Sequence, residues 1–287
     1  MRERARLIQQ QRSNKELLEA LQVQRLSLAT TGSMVHSSSY NNKMTAPFDA
    51  LTRLGTNFRE RQRTLLEMRH DRLQFARQFM LRQLHCLGMD EYCDRKKFKT
   101  DHGDLMWLNF EIVPLPEAQS IKATVQALQH FVHNIEINIS DATGDVTVRE
   151  NDNAMPDSAV AQHRLVTKID NLEVESNHVA FGEYYPATPG LQEQALMICD
   201  VVEEDKLFPY RHSERLRQDV ITIISLVSHQ GEDGKPIIVM ARWLCQRILK
   251  SVIPVPQFAV NRIRDNAEKG AQAMLSCCFN SSTMSSS

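Results

Sequence analysis

The 287-residue chain carries 34 Lys and Arg against 35 Asp and Glu, and 42% of its residues are hydrophobic but only 6% aromatic. The near-neutral total conceals a division: residues 1–100 hold 19 basic and 10 acidic side chains, the remainder 15 and 25. A basic first third suits an acidic partner, whereas an acidic remainder disfavours a nucleic-acid groove, and no run approaches the roughly 18 apolar residues of a membrane span.

The opening Met1-Arg-Glu-Arg-Ala-Arg is charged and no apolar segment follows, so it does not read as a signal peptide. Six cysteines without a C-x-x-C pair fit free thiols. Together these features place the chain inside the cell, in cytoplasm or nucleus, as a soluble protein.

Within residues 1–30, positions 2–29 lack Gly and Pro and are rich in Arg, Gln, Glu and Leu, which favour a helix. Leu7, Asn14, Leu21 and Leu28 recur every seven residues, with Leu18 at a complementary position. A short coiled coil and a homodimer through residues 1–30 follow from that spacing, but Arg4, Gln11 and Arg25 occupy other seam positions and leave a single frayed helix open. Residues 31–50, rich in Ser, Thr and Asn, read as a flexible linker.

Segment 51–88 holds a basic amphipathic helix, Phe58 to Leu87. Leu65, Leu66, Leu73, Ala76, Phe79, Met80, Leu84 and Leu87 mark one side, and Arg59, Arg61, Arg63, Arg69, Arg72, Arg77 and Arg82 mark the other. The arginines read as the solvated face of a helix docked on a core. Gly88 ends the helix, and Asp90 to His102 reads as a charged connector.

Residues 103–279 form the compact region. Asp104 to Val113 reads as a strand ended by Pro114 and Pro116, and Glu117 to His133 as a helix through Ile121, Val125, Leu128 and Val132. Ile135, Ile137 and Ile139 alternate with Glu136 and Asn138 as a strand would. A turn at Ala142 to Asp145 leads into Val146–Arg149, and Asn151 to Ser158 is a polar loop. Gln162 to Ile169 and Glu173 to Tyr185 flank Asp170-Asn171 as a hairpin.

Ala195 to Val202 is apolar enough to be buried on both faces, and the acid run that follows reads as a polar excursion. Arg217 to His229 and Pro236 to Leu249 are two long strands joined at Gly231–Gly234. A helix from Val255 to Phe279 closes the region, and residues 280–287 form a Ser-rich disordered tail. The helix carries an apolar stripe of Phe258, Val260, Ile263, Ala267, Ala271, Met274 and Leu275.

Most catalytic signatures are absent. There is no G-x-S-x-G, H-E-x-x-H, P-loop or dinucleotide fingerprint, and ten glycines supply little phosphate-cradling backbone. His85, Cys86, Cys93 and His102 match no zinc spacing, and Cys277-Cys278 lacks a terminal lipidation pattern. Asp200, Glu203, Glu204 and Asp205 read as a solvated loop at a strand exit, not as an acid–base pair. No cofactor, metal or catalytic residue is expected.

Polar residues inside strands are more informative. Arg242 and Trp243 must face opposite sides of their strand, so either a buried cation or an indole lines the interior, and the pattern leaves both open. Arg164 and Glu183 pose the same question, with an outer-face salt bridge as the alternative.

The order of elements, carried by Gln162–Thr167, Val179–Tyr185, Arg217–Ile223 and Val239–Cys245 through the final helix, resembles the START-like (StAR-related lipid-transfer) proteins that have an N-terminal helical or basic-zipper-like extension. The resemblance implies an α+β helix-grip fold, an antiparallel sheet wrapped around a long C-terminal helix. It also implies a non-catalytic module holding a lipid or other apolar small molecule beneath that helix, with the basic extension as docking or oligomerisation arm. Ligand-binding candidates are Arg164, Glu183, Arg242, Trp243, Ala267, Ala271 and Met274. A second reading has the sheet domain mainly structural and a coiled coil recruiting partners, in a setting such as transcription.

Overall fold

The computed structural model describes residues 51–151, 160–189, 191–231 and 234–279. The expected coiled coil with its homodimer, the linker, most of the Asn151–Ser158 loop and the tail lie outside these residues. Of the described residues, Leu51–Met80 and those between Met89 and Phe279 belong to one compact unit, while Leu81–Gly88 groups with a second.

The fold is α+β and of the helix-grip type. In chain order the elements are β1 (Thr52–Leu54), α1 (Phe58–Leu87), β2 (Tyr92–Lys99), β3 (Leu105–Leu115), α2 (Ile121–His133), α3 (Ile135–Thr143), β4 (Val146–Arg149), β5 (Val160–Ile169), β6 (Leu172–Tyr185), β7 (Gln194–Asp205), β8 (Leu216–Gln230), β9 (Pro236–Ile248) and α4 (Gln257–Phe279). The strands run in the spatial order β2-β3-β9-β8-β7-β6-β5-β4, with β1 added to β7.

One irregularity shapes the sheet. β7 pairs with β8 only as far as Cys199–Thr222 and with β6 only as far as Val201–His178. Beyond that point β7 departs and pairs in parallel with β1, beginning at Val202–Thr52. β6 and β8 then meet directly, in parallel, at Val174–Leu216.

Both faces of the sheet are covered. Helices α2, α3 and α4 lie over one face and close two apolar clusters. One is built on Leu128, Phe131, Met197, Ile224, Met240 and Met274, the other on Ile169, Val174, Leu216, Ile248, Ala259 and Ile263. The part of α1 before Leu81 lies on the other face, where Phe79 meets Trp243 edge-on with ring centroids 5.4 Å apart.

Local chemistry explains the helix limits. Asn57 Oδ1 accepts from the amides of Arg59 and Glu60 at 3.0 and 3.2 Å and so starts α1. Gly88, at φ 85°, ends it. α2 starts at Ile121 instead of Glu117 because Ser120 Oγ caps it, accepting from the amide of Ala123 at 3.1 Å.

Several elements differ from the sequence expectation: β1 precedes the helix in segment 51–88, and β7 continues to Asp205 through the acid run read as a polar excursion. The Ile135–Ile139 segment is helical, because Ile135 and Ile139 also satisfy an i, i+4 spacing that turns both toward the interior and leaves Ile137 exposed. Asp90–His102 contains strand β2, whose run of Arg95, Lys96, Lys97 and Lys99 suits an exposed sheet edge and hides the strand from a hydrophobicity pattern. Pro114 sits within β3, beyond the last β2 partner at Ile112, where no neighbour needs its missing N–H.

Candidate functional site

Strand parity decides what faces α4. Odd residues of β5 (His163, Leu165, Thr167) and even residues of β6, β8 and β9 (His178, Val220, Arg242, Gln246) share the face beneath the helix. Between the two apolar clusters these strands and α4 leave a cavity of about 230 Å³. That space corresponds to roughly fifteen to twenty water-sized groups, enough for a two- or three-ring compound or a medium acyl chain. Its apolar walls come from residues such as Phe131, Ile135, Ile139, Met197, Ile224 and Leu244.

The roof is built from the small side of α4. Ala267, Gly270 and Ala271 face the cavity between Ile263 and Met274. A Cβ at Gly270 would come within 2.7 Å of Ile139 Cδ1, so glycine lets α3 cross α4 closely. Arg262 and Asn266 tie the same helix to the α3–β4 turn. Arg262 Nε donates to Asp145 Oδ2 at 2.9 Å and Asn266 Nδ2 to the same oxygen at 2.7 Å. Burial alone would raise the Asp145 carboxyl, but these bonds hold it below the usual carboxylate range. Phe258, expected on the apolar stripe, is half exposed; Ala259 turns inward in its place, beside Val260, which is buried as expected.

Polar groups in the cavity are uncharged or ion-paired. Arg242 is buried in an ion pair with Glu111 from β3, and burial lowers its pKa in spite of that partner. His163 and His178 are opposite each other on β5 and β6. Burial first, then the nearby cations Arg149 for His163 and Arg217 for His178, pushes them down to about 3 and about 4, so both are neutral at pH 7. Thr147 and Thr167 share a hydrogen bond of 2.9 Å at the far wall.

Of the seven candidate ligand-binding residues, Arg242, Ala267, Ala271 and Met274 line the cavity. The structure places Arg164, Glu183 and Trp243 on the opposite face, because their strand parity turns them toward α1 and the β7–β8 connection. Arg164 is buried against Glu175 and lies 4.8 Å over the Tyr210 ring, Glu183 pairs with Arg69 at 3.5 Å, and Trp243 packs on Phe79. The Arg242/Trp243 alternative thus resolves with the cation inward and the indole under α1.

The outer face also corrects the reading of the charged runs. Asp200 and Asp205 are buried instead of solvated, and Arg61 and Arg72 leave the solvated face of α1 to meet them. Arg61 Nη2 donates to Asp205 Oδ2 at 2.9 Å and to Gln162 Oε1 at 3.1 Å, and Arg72 approaches Asp200 at 3.1 Å. His163, His178, Gln246 and Asn266 were not singled out from the sequence. Their signal was strand parity with Leu165, Ala180 and Leu244 and, for Asn266, the three-residue helical spacing from Ile263, which become readable only once one inward residue is known.

Among the described residues no helix is long and apolar enough to cross a membrane. No protein-family model matches the sequence, and no curated protein matches it. Among solved structures, the chain is similar to the human StarD13 (DLC2) lipid transfer and protein localization domain, at 10% identity and a TM-score of 0.35, over 70% of this chain and 95% of that one. It is also similar to Ara h 8.0201, at 9% identity and a TM-score of 0.28, over 61% of this chain and 98% of that one. At such identities no residue correspondence follows.

Proposed function

We propose that this chain is a non-catalytic module that binds an apolar small molecule, such as a lipid, in the cavity between α4 and the sheet. The observation that carries this is the roof: Ala267, Gly270 and Ala271 stand where larger side chains would close the interior, above walls made mostly of Ile, Leu, Val, Met and Phe. Native cores are packed densely, and a void of this size leaves apolar side chains without partners on one side. An apolar ligand restores those contacts. The polar lining consists of two neutral histidines, uncharged Gln, Asn, Ser and Thr side chains and one internally paired arginine, and offers no unpaired charge to a strongly ionic ligand.

Native mass spectrometry of the purified chain tests the reading. A retained mass of lipid or small-molecule size, lost in Ala271→Phe while the fold is kept, is expected. A chain that carries no added mass and takes up none from a mixed lipid extract contradicts it.

A further inference from the structure

Buried side-chain polar atoms normally find a partner, and each that does not costs free energy comparable with a lost hydrogen bond. Among the described residues, the buried polar atoms that lack a hydrogen bond and belong to no ion-paired side chain are Trp107 Nε1, His163 Nε2, Gln246 Nε2 and Asn266 Oδ1. Their positions are not scattered. Trp107 is in register with Gln246, and Gln246 with Val220. The amide of Val220 donates to His178, which is in register with His163. Three of the four therefore lie in one transverse row of the sheet, and Asn266 lies above it on α4.

Three of these groups, His163, Gln246 and Asn266, line the cavity, and each residue is at least nine-tenths buried. Their chemistry is specific. Asn266 Nδ2 donates to Asp145, so the oxygen of that amide is the free atom, an acceptor. Gln246 offers an N–H donor. Neutral His163 can donate or accept at Nε2 according to its tautomer.

Resting on the binding function proposed above, we infer that the ligand is an oxygenated apolar molecule. It carries a hydroxyl or carbonyl within its apolar body, and that oxygen partners one of the unsatisfied groups of Gln246, His163 and Asn266. A plain hydrocarbon chain or ring would fill the same volume but leave all three groups unsatisfied. An anionic headgroup would have to displace Glu111 from Arg242, and a cationic one Arg242 from Glu111, to find a counter-ion. A hydroxyl is the better match, because it can both accept, as the Gln246 N–H requires, and donate, as the Asn266 oxygen requires.

Fluorene and 9-fluorenol, which share a three-ring body and differ by one hydroxyl, provide the test. Their affinities for the full chain are measured by isothermal titration, for wild type, Gln246→Leu and His163→Phe, with circular dichroism confirming each fold. Wild type should bind 9-fluorenol about tenfold tighter than fluorene, even though fluorene is the more hydrophobic. Gln246→Leu, close in shape to the native side chain, should erase or invert that preference while still binding fluorene. If Gln246→Leu does not fold, His163→Phe should reduce the preference in its place. Equal or tighter binding of fluorene by wild type overturns the inference and leaves an apolar site standing. Binding of neither compound overturns the inference together with the cavity function.

Discussion

His178 Nε2 accepts the backbone N–H of Val220 at 3.2 Å. The bond stands where β7 has left the sheet after Val201 and β8 has lost a strand partner, so an imidazole replaces a main-chain carbonyl. Accepting at Nε2 places the proton of this neutral ring on Nδ1. His178→Phe removes the side-chain acceptor of that amide, and urea unfolding should show a loss of about 1–3 kcal/mol. His178→Gln, which keeps an acceptor, should recover part of it.

A second histidine sets a pH dependence. Unfolded, His163 binds a proton below about pH 6.5, whereas in the fold burial holds its pKa down to about 3. Between those values the unfolded state carries the extra proton, so the stability contributed by neutral His163 is full above pH 6.5 and is lost as pH falls toward 3. The slope is about 1.4 kcal/mol per pH unit. Asp200, pushed up to about 6 by burial, acts in the opposite sense between about pH 4 and 6. Comparison of wild type with His163→Phe isolates the histidine: the difference in unfolding free energy should narrow by that slope as pH drops from 6 to 4.5.

The Arg61–Asp205 pair joins α1 to the departing end of β7 across 144 residues. Asp205 also accepts from Asn177 Nδ2 at 2.9 Å and from the amides of Leu207 and Phe208. Burial would raise its carboxyl, but these donors, Arg61 first, keep it low. Asp205→Leu leaves a buried guanidinium unpaired and should cost about 3–5 kcal/mol. Arg61→Met combined with Asp205→Leu should cost less than the sum of the single changes, and a double-mutant cycle by thermal unfolding reads that coupling.

Arg242 and Trp243 face opposite sides of β9 and should separate in assay. Trp243→Ala opens a hole under Phe79 and should cost about 3–5 kcal/mol of stability, with ligand affinity changed little. Changing Arg242 and Glu111 together to Met and Leu preserves volume, so fold should persist while ligand selectivity shifts.

How far the sequence could be read depends on the element. The β8–β9 hairpin and α4 announce themselves, since long alternating strands meet at Gly231–Gly234 and the final helix has a clear stripe ended by polar serines. β2 does not, because its lysines suit an edge that needs no apolar face. α3 misleads, because Ile135, Ile137 and Ile139 fit period two and Ile135 with Ile139 fits period four. The buried carboxylates Asp200 and Asp205 were invisible because their partners, Arg72 and Arg61, lie far away on α1. The facing of Arg242 follows from sheet register, which the sequence pattern leaves two-valued.

In the function proposed above, the space beneath Ala267 and Ala271 takes up apolar molecules. Fluorescence titration with N-phenyl-1-naphthylamine, on wild type, Ala271→Phe and the surface control Phe258→Ala, tests it most directly. Saturable binding with one site in wild type and Phe258→Ala, weakened at least tenfold in a folded Ala271→Phe, is the predicted result. Equal titration curves for wild type and Ala271→Phe, or no saturable binding in either, would contradict it.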